Sequence, residues 1–248
     1  MILSQILFNI SMGLYFISFL GYFILTAYQK KVFGVISSSL LTIGLLFHSG
    51  GLFSRWTETH QTGYSYIPLS NMYESLIFFS WTIVLIYLIL EFKYQQRVIG
   101  VFVTPFAFLA IALTSVIPGI HSKITPLVPA LQSNWLTIHV TTCFLGYASF
   151  AVSFGISTLY LIQDKKKAVM GKESKWLPSA PLLDEMNYKS IVMGFPMLTL
   201  GIITGAAWAN YAWGSYWSWD PKETWSLITW FIYAAFLHAR FTRDWRGR

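Results

Sequence analysis

Residues 6–27 read ILFNISMGLYFISFLGYFILTA and hold no charged side chain. About 20 mostly apolar helical residues cross a hydrocarbon layer ~30 Å thick, so this segment can span one. It is too long for the apolar core of a signal peptide, and no basic segment precedes it. It is therefore expected to stay as a helix. Similar stretches recur along the chain and give seven spans, at 6–27, 32–53, 72–90, 98–117, 136–162, 190–208 and 221–240. Composition agrees: 55% of the 248 residues are apolar and 11% are charged, against roughly 25% charged in a soluble domain. The expected fold is all-α, a polytopic integral membrane helical bundle of about seven spans. It forms a single membrane domain over residues 1–248, without an internal repeat or a low-complexity linker.

The basic residues between the spans set the orientation. One side holds Lys30, Lys31, Lys93, Arg97, Lys165, Lys166, Lys167, Lys172, Lys175, Lys189, Arg240, Arg243, Arg246 and Arg248, and the other only Arg55, Lys123 and Lys222. Cytoplasmic segments carry the excess of Lys and Arg, so the N-terminus is expected outside and the C-terminus inside. The outer connections are then 54–71, 118–135 and 209–220, rich in aromatic residues, Pro, Gly and His. The inner connection 163–189 is charged and reads as a solvated connector. The net charge of +7 is scattered over helix ends, which is membrane topology rather than a phosphate-binding face, and no nucleic-acid partner is expected. The one cysteine, Cys143, excludes an internal disulfide and a CxxC redox pair.

Trp208 to Trp230 reads WANYAWGSYWSWDPKETWSLITW and holds six of the eleven tryptophans. Asp220, Pro221 and Glu223 form a helix start, with Asp220 as N-cap, Pro221 at the first position and Glu223 reaching back to close a capping box. Gly214 permits a turn or a close approach to a ligand. Trp and Tyr also gather as belts at membrane interfaces, but belts are spread over many helix ends. Rings concentrated around one glycine favour a planar aromatic ligand, bound by stacking and apolar burial. The candidate binding loop is 208–226.

The stretch WGSYWSWDPKETWSLITW, together with PLSNMYES (68–75) and WLTIHVTTCFLGYASF (135–150), resembles the tryptophan-rich WWD family of haem-handling membrane proteins, the CcsA (ResC), CcmC and CcmF group, and most of all its CcsA-type branch. The likeness covers roughly residues 50–245, in the same order. It implies a haem-handling subunit of a cytochrome c synthase, a haem lyase complex with a CcsB-type partner in a bacterial plasma membrane or a thylakoid. Haem b would be moved outward and presented on the periplasmic or lumenal face, then attached to the CxxCH segment of apocytochrome c. Site residues implied are Trp213, Gly214, Trp217, Trp219, Asp220 and Trp225, with His139 and His238 as axial ligands of haem iron. Asp220 also has the plain role of helix cap. Arg55 and Lys222 are the outer cations for haem propionates, unless they serve only topology.

The five histidines are His48, His60, His121, His139 and His238. Neutral imidazole is a common haem ligand, and intramembrane ionisable groups are functional candidates by default, although a lone His can also be a hydrogen-bonded packing residue. His139 opens the fifth span near the outer face. His238 lies 18 residues past Asp220, ~27 Å deeper at 1.5 Å per residue. One haem cannot reach both, so two sites are expected. In the family the inner site takes its second His from the CcsB-type partner, and the outer site from a His beyond a further span. The sequence ends at Arg248 before such a span. Either the chain is cut short, or His48, His60 or His121 substitutes with His48 best placed, or the outer haem is bound differently. Cys143, four residues after His139 on the same helix face, reads as packing. Two other classes compete. An electron-carrying b-type cytochrome needs more paired histidines than this chain offers. A small-molecule transporter would have the tryptophans as a belt.

Overall fold

The computed structural model describes residues 2–243 and 245, except 65 and 175. Lys175, Arg246 and Arg248 of the basic tally thus lie outside the described residues. Seven α-helices follow in order: α1 Leu3–Tyr28, α2 Lys31–Gln61, α3 Met72–Tyr94, α4 Gly100–Val116, α5 Asn134–Met170, α6 Ala180–Trp213 and α7 Pro221–Arg243. Among the described residues there is no strand. Among the described residues six helices are long and apolar enough to cross a membrane, the fourth counted from Arg97. The chain is a polytopic helical membrane protein. α7 is not among those six. Its 23 residues are long enough, about 34 Å at 1.5 Å per residue, but Lys222, Glu223, His238, Arg240 and Arg243 lower its hydropathy.

Several helices outrun the expected spans. α2 continues to Gln61 and α5 to Met170, so the connection between α5 and α6 shrinks to 171–179. Hydropathy marks only the part of a helix that meets lipid. The helix itself continues until a residue stops it, which for α5 is Gly171 at φ 69°. α6 likewise runs to Trp213 and ends at Gly214, φ 77°, whose N–H donates to the Asn210 carbonyl at 2.9 Å.

Around the bundle the helices neighbour one another in the order α2, α1, α4, α3, α5, α6, α7. α1 to α6 share the main core, which includes Tyr15, Tyr22, Ile83, Tyr87, Val103 and Ile156, with Leu183 and Met186 from α6. α7 leans on α6 through a smaller cluster of Phe150, Ile191, Leu198 and Leu237, and Tyr233 stacks on Phe150 at 3.7 Å. Water cannot drive helix association inside lipid, so close backbone approach at small residues takes over. Tyr15 lies over Gly44 and Phe8 over Gly51, where an added Cβ would stand 2.8 and 2.6 Å from the rings. Between α5 and α6 the small residues are Gly146, Gly194, Gly201 and Gly205.

Polar side chains inside the bundle find partners, as lipid demands. Ser4 Oγ donates to Glu58 at 2.6 Å, and Tyr15 Oη meets His48 Nδ1 at 3.0 Å. Tyr22 Oη and Ser38 Oγ both donate to Glu91, with Arg97 Nε 3.5 Å from that carboxylate. Arg55 and Glu74 form a buried ion pair at 3.0 Å, each side chain 1% exposed. Glu74 also accepts from Ser70 N–H at 3.0 Å, which ties the segment before α3 to α2.

Candidate functional site

Gly201 and Gly205 lie one turn apart on α6 and leave a notch where α5 comes close. At Gly201 an added Cβ would stand 2.5 Å from Cys143 Sγ. His139, one turn before Cys143 on α5, lays its ring in the notch, with Nδ1 2.7 Å from the Gly201 carbonyl oxygen. A carbonyl oxygen can only accept, so Nδ1 carries a proton, and in the neutral ring the lone pair is then on Nε2. This is the tautomer a metal-binding histidine uses, held by a backbone carbonyl behind it.

Trp208 runs nearly parallel to the imidazole, centroids 6.1 Å apart and planes 15° apart, within the stacking range. Its Nε1–H donates to the Ala130 carbonyl at 2.8 Å, so the turn Pro129–Leu131 fixes the indole. Trp213 meets Trp208 edge-on at 4.8 Å. His139, Cys143 and Tyr147 of α5, Gly205, Trp208 and Trp213 of α6, Tyr216 and Trp217 of the connection, and Asp220, Lys222 and Glu223 at the start of α7 enclose a cavity of about 360 Å³. Its wall is aromatic, with one imidazole, one ammonium and two carboxylates. Trp217 Nε1 is buried without a hydrogen-bond partner. It is an unsatisfied donor in a residue that lines the cavity.

The α7 cap forms as expected in half. Asp220 Oδ1 accepts from Glu223 N–H at 2.8 Å. Glu223 does not reach the cap residue's own N–H, and its carboxylate accepts from Ser218 N–H at 2.7 Å instead. That bond folds residues 218–220 back over the helix start. Trp219 takes φ 61° there, a left-handed conformation rare for a bulky residue, and its ring meets Trp217 edge-on at 5.7 Å.

Of the expected site residues, His139, Trp213, Trp217 and Asp220 line the cavity, and Lys222 joins them. Trp219 stands behind Trp217 and is 69% exposed, while Trp225, on the first turns of α7, is 67% exposed. Gly214 is the C-cap of α6. The tryptophans therefore do not share one loop. Trp208 and Trp213 end α6, Trp225 and Trp230 belong to α7, and only Trp217 and Trp219 lie between. Alanines at 206, 207, 209 and 212 let α6 continue until Gly214. Arg55 does not join the site. Its guanidinium is buried and paired with Glu74, which corrects its placing as a cation free for propionates. His48 is fully buried beside Phe8 and Tyr15, His60 donates Nδ1–H to the Trp56 carbonyl, and none of His48, His60 and His121 lines the cavity. His238 lies elsewhere, exposed on α7.

The fold and this pocket define a class: a helical membrane protein that offers an oriented imidazole inside an aromatic cleft. Residues 69–248 match the Cytochrome C assembly protein family, and the chain belongs to it. The Cytochrome c biogenesis protein CcsA of Heterosigma akashiwo is 44% identical over 219 residues, covering 75% of this chain and 68% of its own. Those of Trieres chinensis and Microcystis aeruginosa are 38% and 37% identical, cover 99% of this chain, and are covered over 86% and 88% of their lengths. The solved cytochrome c haem lyase CcmF superposes with a TM-score of 0.71 over 96% of this chain at 17% identity, a likeness of fold. This chain spans 41% of that one. Cytochrome c biogenesis, with haem as the group handled, is thus the role of this chain.

Proposed function

We propose that the cleft between α5, α6 and the start of α7 holds haem b edge-on and presents it for attachment to apocytochrome c. The observation that carries this is the His139 ring, with Nδ1–H on the Gly201 carbonyl and the ring at the wall of a tryptophan-lined cavity. Nε2 supplies the iron ligand. Trp208, Trp213 and Trp217 supply apolar faces, whose burial is worth about 25 cal/mol per Å². Lys222 is the cation for a propionate, and Trp217 Nε1–H is a free donor. The attachment is an addition: each CxxCH thiol forms an S–C bond to a haem vinyl group, its proton goes to the other vinyl carbon, and nothing leaves. The chain contributes ligation and orientation, and the haem carries the reactive groups.

His238 supports a second haem within the membrane. It is exposed on α7, so a ligand there is closed by another molecule, and a CcsB-type partner chain is the proposed source of the second imidazole. The proposed setting is a bacterial plasma membrane or a thylakoid, with α7 as the seventh span, the N-terminus outside and the cleft on the periplasmic or lumenal face. The basic residues support that orientation. A cysteine at exposed Ser215 should react with a membrane-impermeant thiol reagent in intact cells, and one at exposed Lys172 should not, with buried Cys143 as a quiet background. The opposite labelling would reverse the orientation. The haem reading itself is tested by the absorption spectrum of gently purified protein: a Soret band should co-purify with it, alone and with its partner. Protein that never carries haem would favour a transporter with a tryptophan belt.

A further inference from the structure

Gly205 faces His139 across the α5–α6 contact. A Cβ built on Gly205 would stand 2.6 Å from His139 Nδ1, 2.7 Å from Cε1 and 3.4 Å from Cγ, and these are the three nearest atoms. Cβ atoms do not tolerate contacts below about 3 Å, so any side chain at 205 displaces the imidazole. The ring is also held at its back. Its Nδ1 sits 2.7 Å from the carbonyl oxygen of Gly201, one turn earlier on α6. An imidazole can lie that close to a helix backbone only where the next turn presents no side chain. Trp208, three residues after Gly205, then meets the ring nearly parallel.

We infer that Gly205 is a positioning residue for His139, and that its missing side chain sets the direction and tautomer of the iron-binding imidazole. This rests on the reading of His139 as a haem ligand. Glycine is otherwise unfavourable here, since Gly in a helix interior is less stable than Ala. By helix propensity alone Gly205→Ala would favour the helix, so a loss on substitution reports the contact with His139. Removing a group that orients a metal-binding histidine typically lowers affinity or activity 10–100-fold.

The test compares Gly205→Ala, His139→Ala and the double variant, each purified with its haem, with Gly13→Ala as control because nothing lies within 4 Å of a Cβ there. Gly205→Ala should lower haem content and cytochrome c maturation at least tenfold, shift the Soret band as His139→Ala does, and regain part of the haem with added imidazole. The double variant should match His139→Ala alone, because the ring whose atoms lie nearest the added Cβ is gone. This comparison also serves if Gly205→Ala lowers protein level, since the double variant should restore it. A native spectrum in Gly205→Ala beside a shifted one in His139→Ala overturns this inference alone. So does a double variant much worse than His139→Ala. If His139→Ala keeps a native spectrum, the ligand reading falls and this inference with it.

Discussion

His238→Ala is expected to abolish maturation of c-type cytochromes while the protein still inserts at its normal level. His238 is exposed on α7, and α7 is held by contacts on another face: Tyr233 stacked on Phe150, Trp230 Nε1–H donating to Thr199 at 2.9 Å, and Arg240 paired with Asp184 through 2.8 and 2.6 Å bonds. Alanine at 238 leaves all of these in place and is a better helix former than histidine. A stability explanation of the lost activity is therefore weak, and membrane-bound protein measured by immunoblot should match the parent. A titratable ring on the outward face of a membrane helix is costly unless something covers it. On the proposed reading that cover is haem, closed on its other face by an imidazole of the partner chain. Added imidazole should restore maturation in part by filling the empty axial position. Normal holocytochrome in His238→Ala would leave the residue as a lipid-facing or packing side chain and remove the inner site from the scheme.

The helices were legible because lipid imposes a length and an apolar composition on whatever crosses it. Their ends were not, since helix α2 past residue 53 and α5 past 162 are governed by propensity and capping rather than by hydropathy. The same cause misplaced the tryptophans. Trp213 falls in the expected connection and instead ends α6, while Trp208, at the end of the expected span, is the helical residue that stacks against His139. His139 could be named from its surroundings in sequence, but its partner could not. The Gly201 carbonyl belongs to another helix, and the GIITG spacing that opens the notch gives no hint of what fills it. Arg55 was misread because charge near an outer helix end suggests exposure. Its partner Glu74 lies 19 residues away on the next helix, a contact that only the tertiary fold reveals.

Trp217→Ala and Trp208→Ala should each lower bound haem and cytochrome c maturation strongly, while Trp135→Ala should not. The three differ in what their rings touch. Trp217 and Trp208 line the cavity, one with a buried, unpaired Nε1 and the other against His139. Trp135 is 47% exposed at the start of α5, where an indole anchors a helix at an interface and Phe or Tyr serves as well. Truncating a tryptophan at the centre of a binding site typically costs 2 kcal/mol or more, some thirtyfold in occupancy at about 1.4 kcal/mol per decade. Trp225, 67% exposed and outside the cavity lining, should fall between these, and Trp219 should act through Trp217, whose edge it packs. His139→Ala differs in kind. It should change the position of the Soret band as well as its height, because it alters the ligand field of the iron, whereas the tryptophan variants should keep the native band at lower intensity. The measurement is haem per protein and the visible spectrum of each purified variant. If all the tryptophan variants behave like Trp135→Ala, the rings are a belt and the cleft is not a haem platform. If the tryptophan variants lose haem while His139→Ala keeps the native band, the platform stands and the iron ligand lies on another residue.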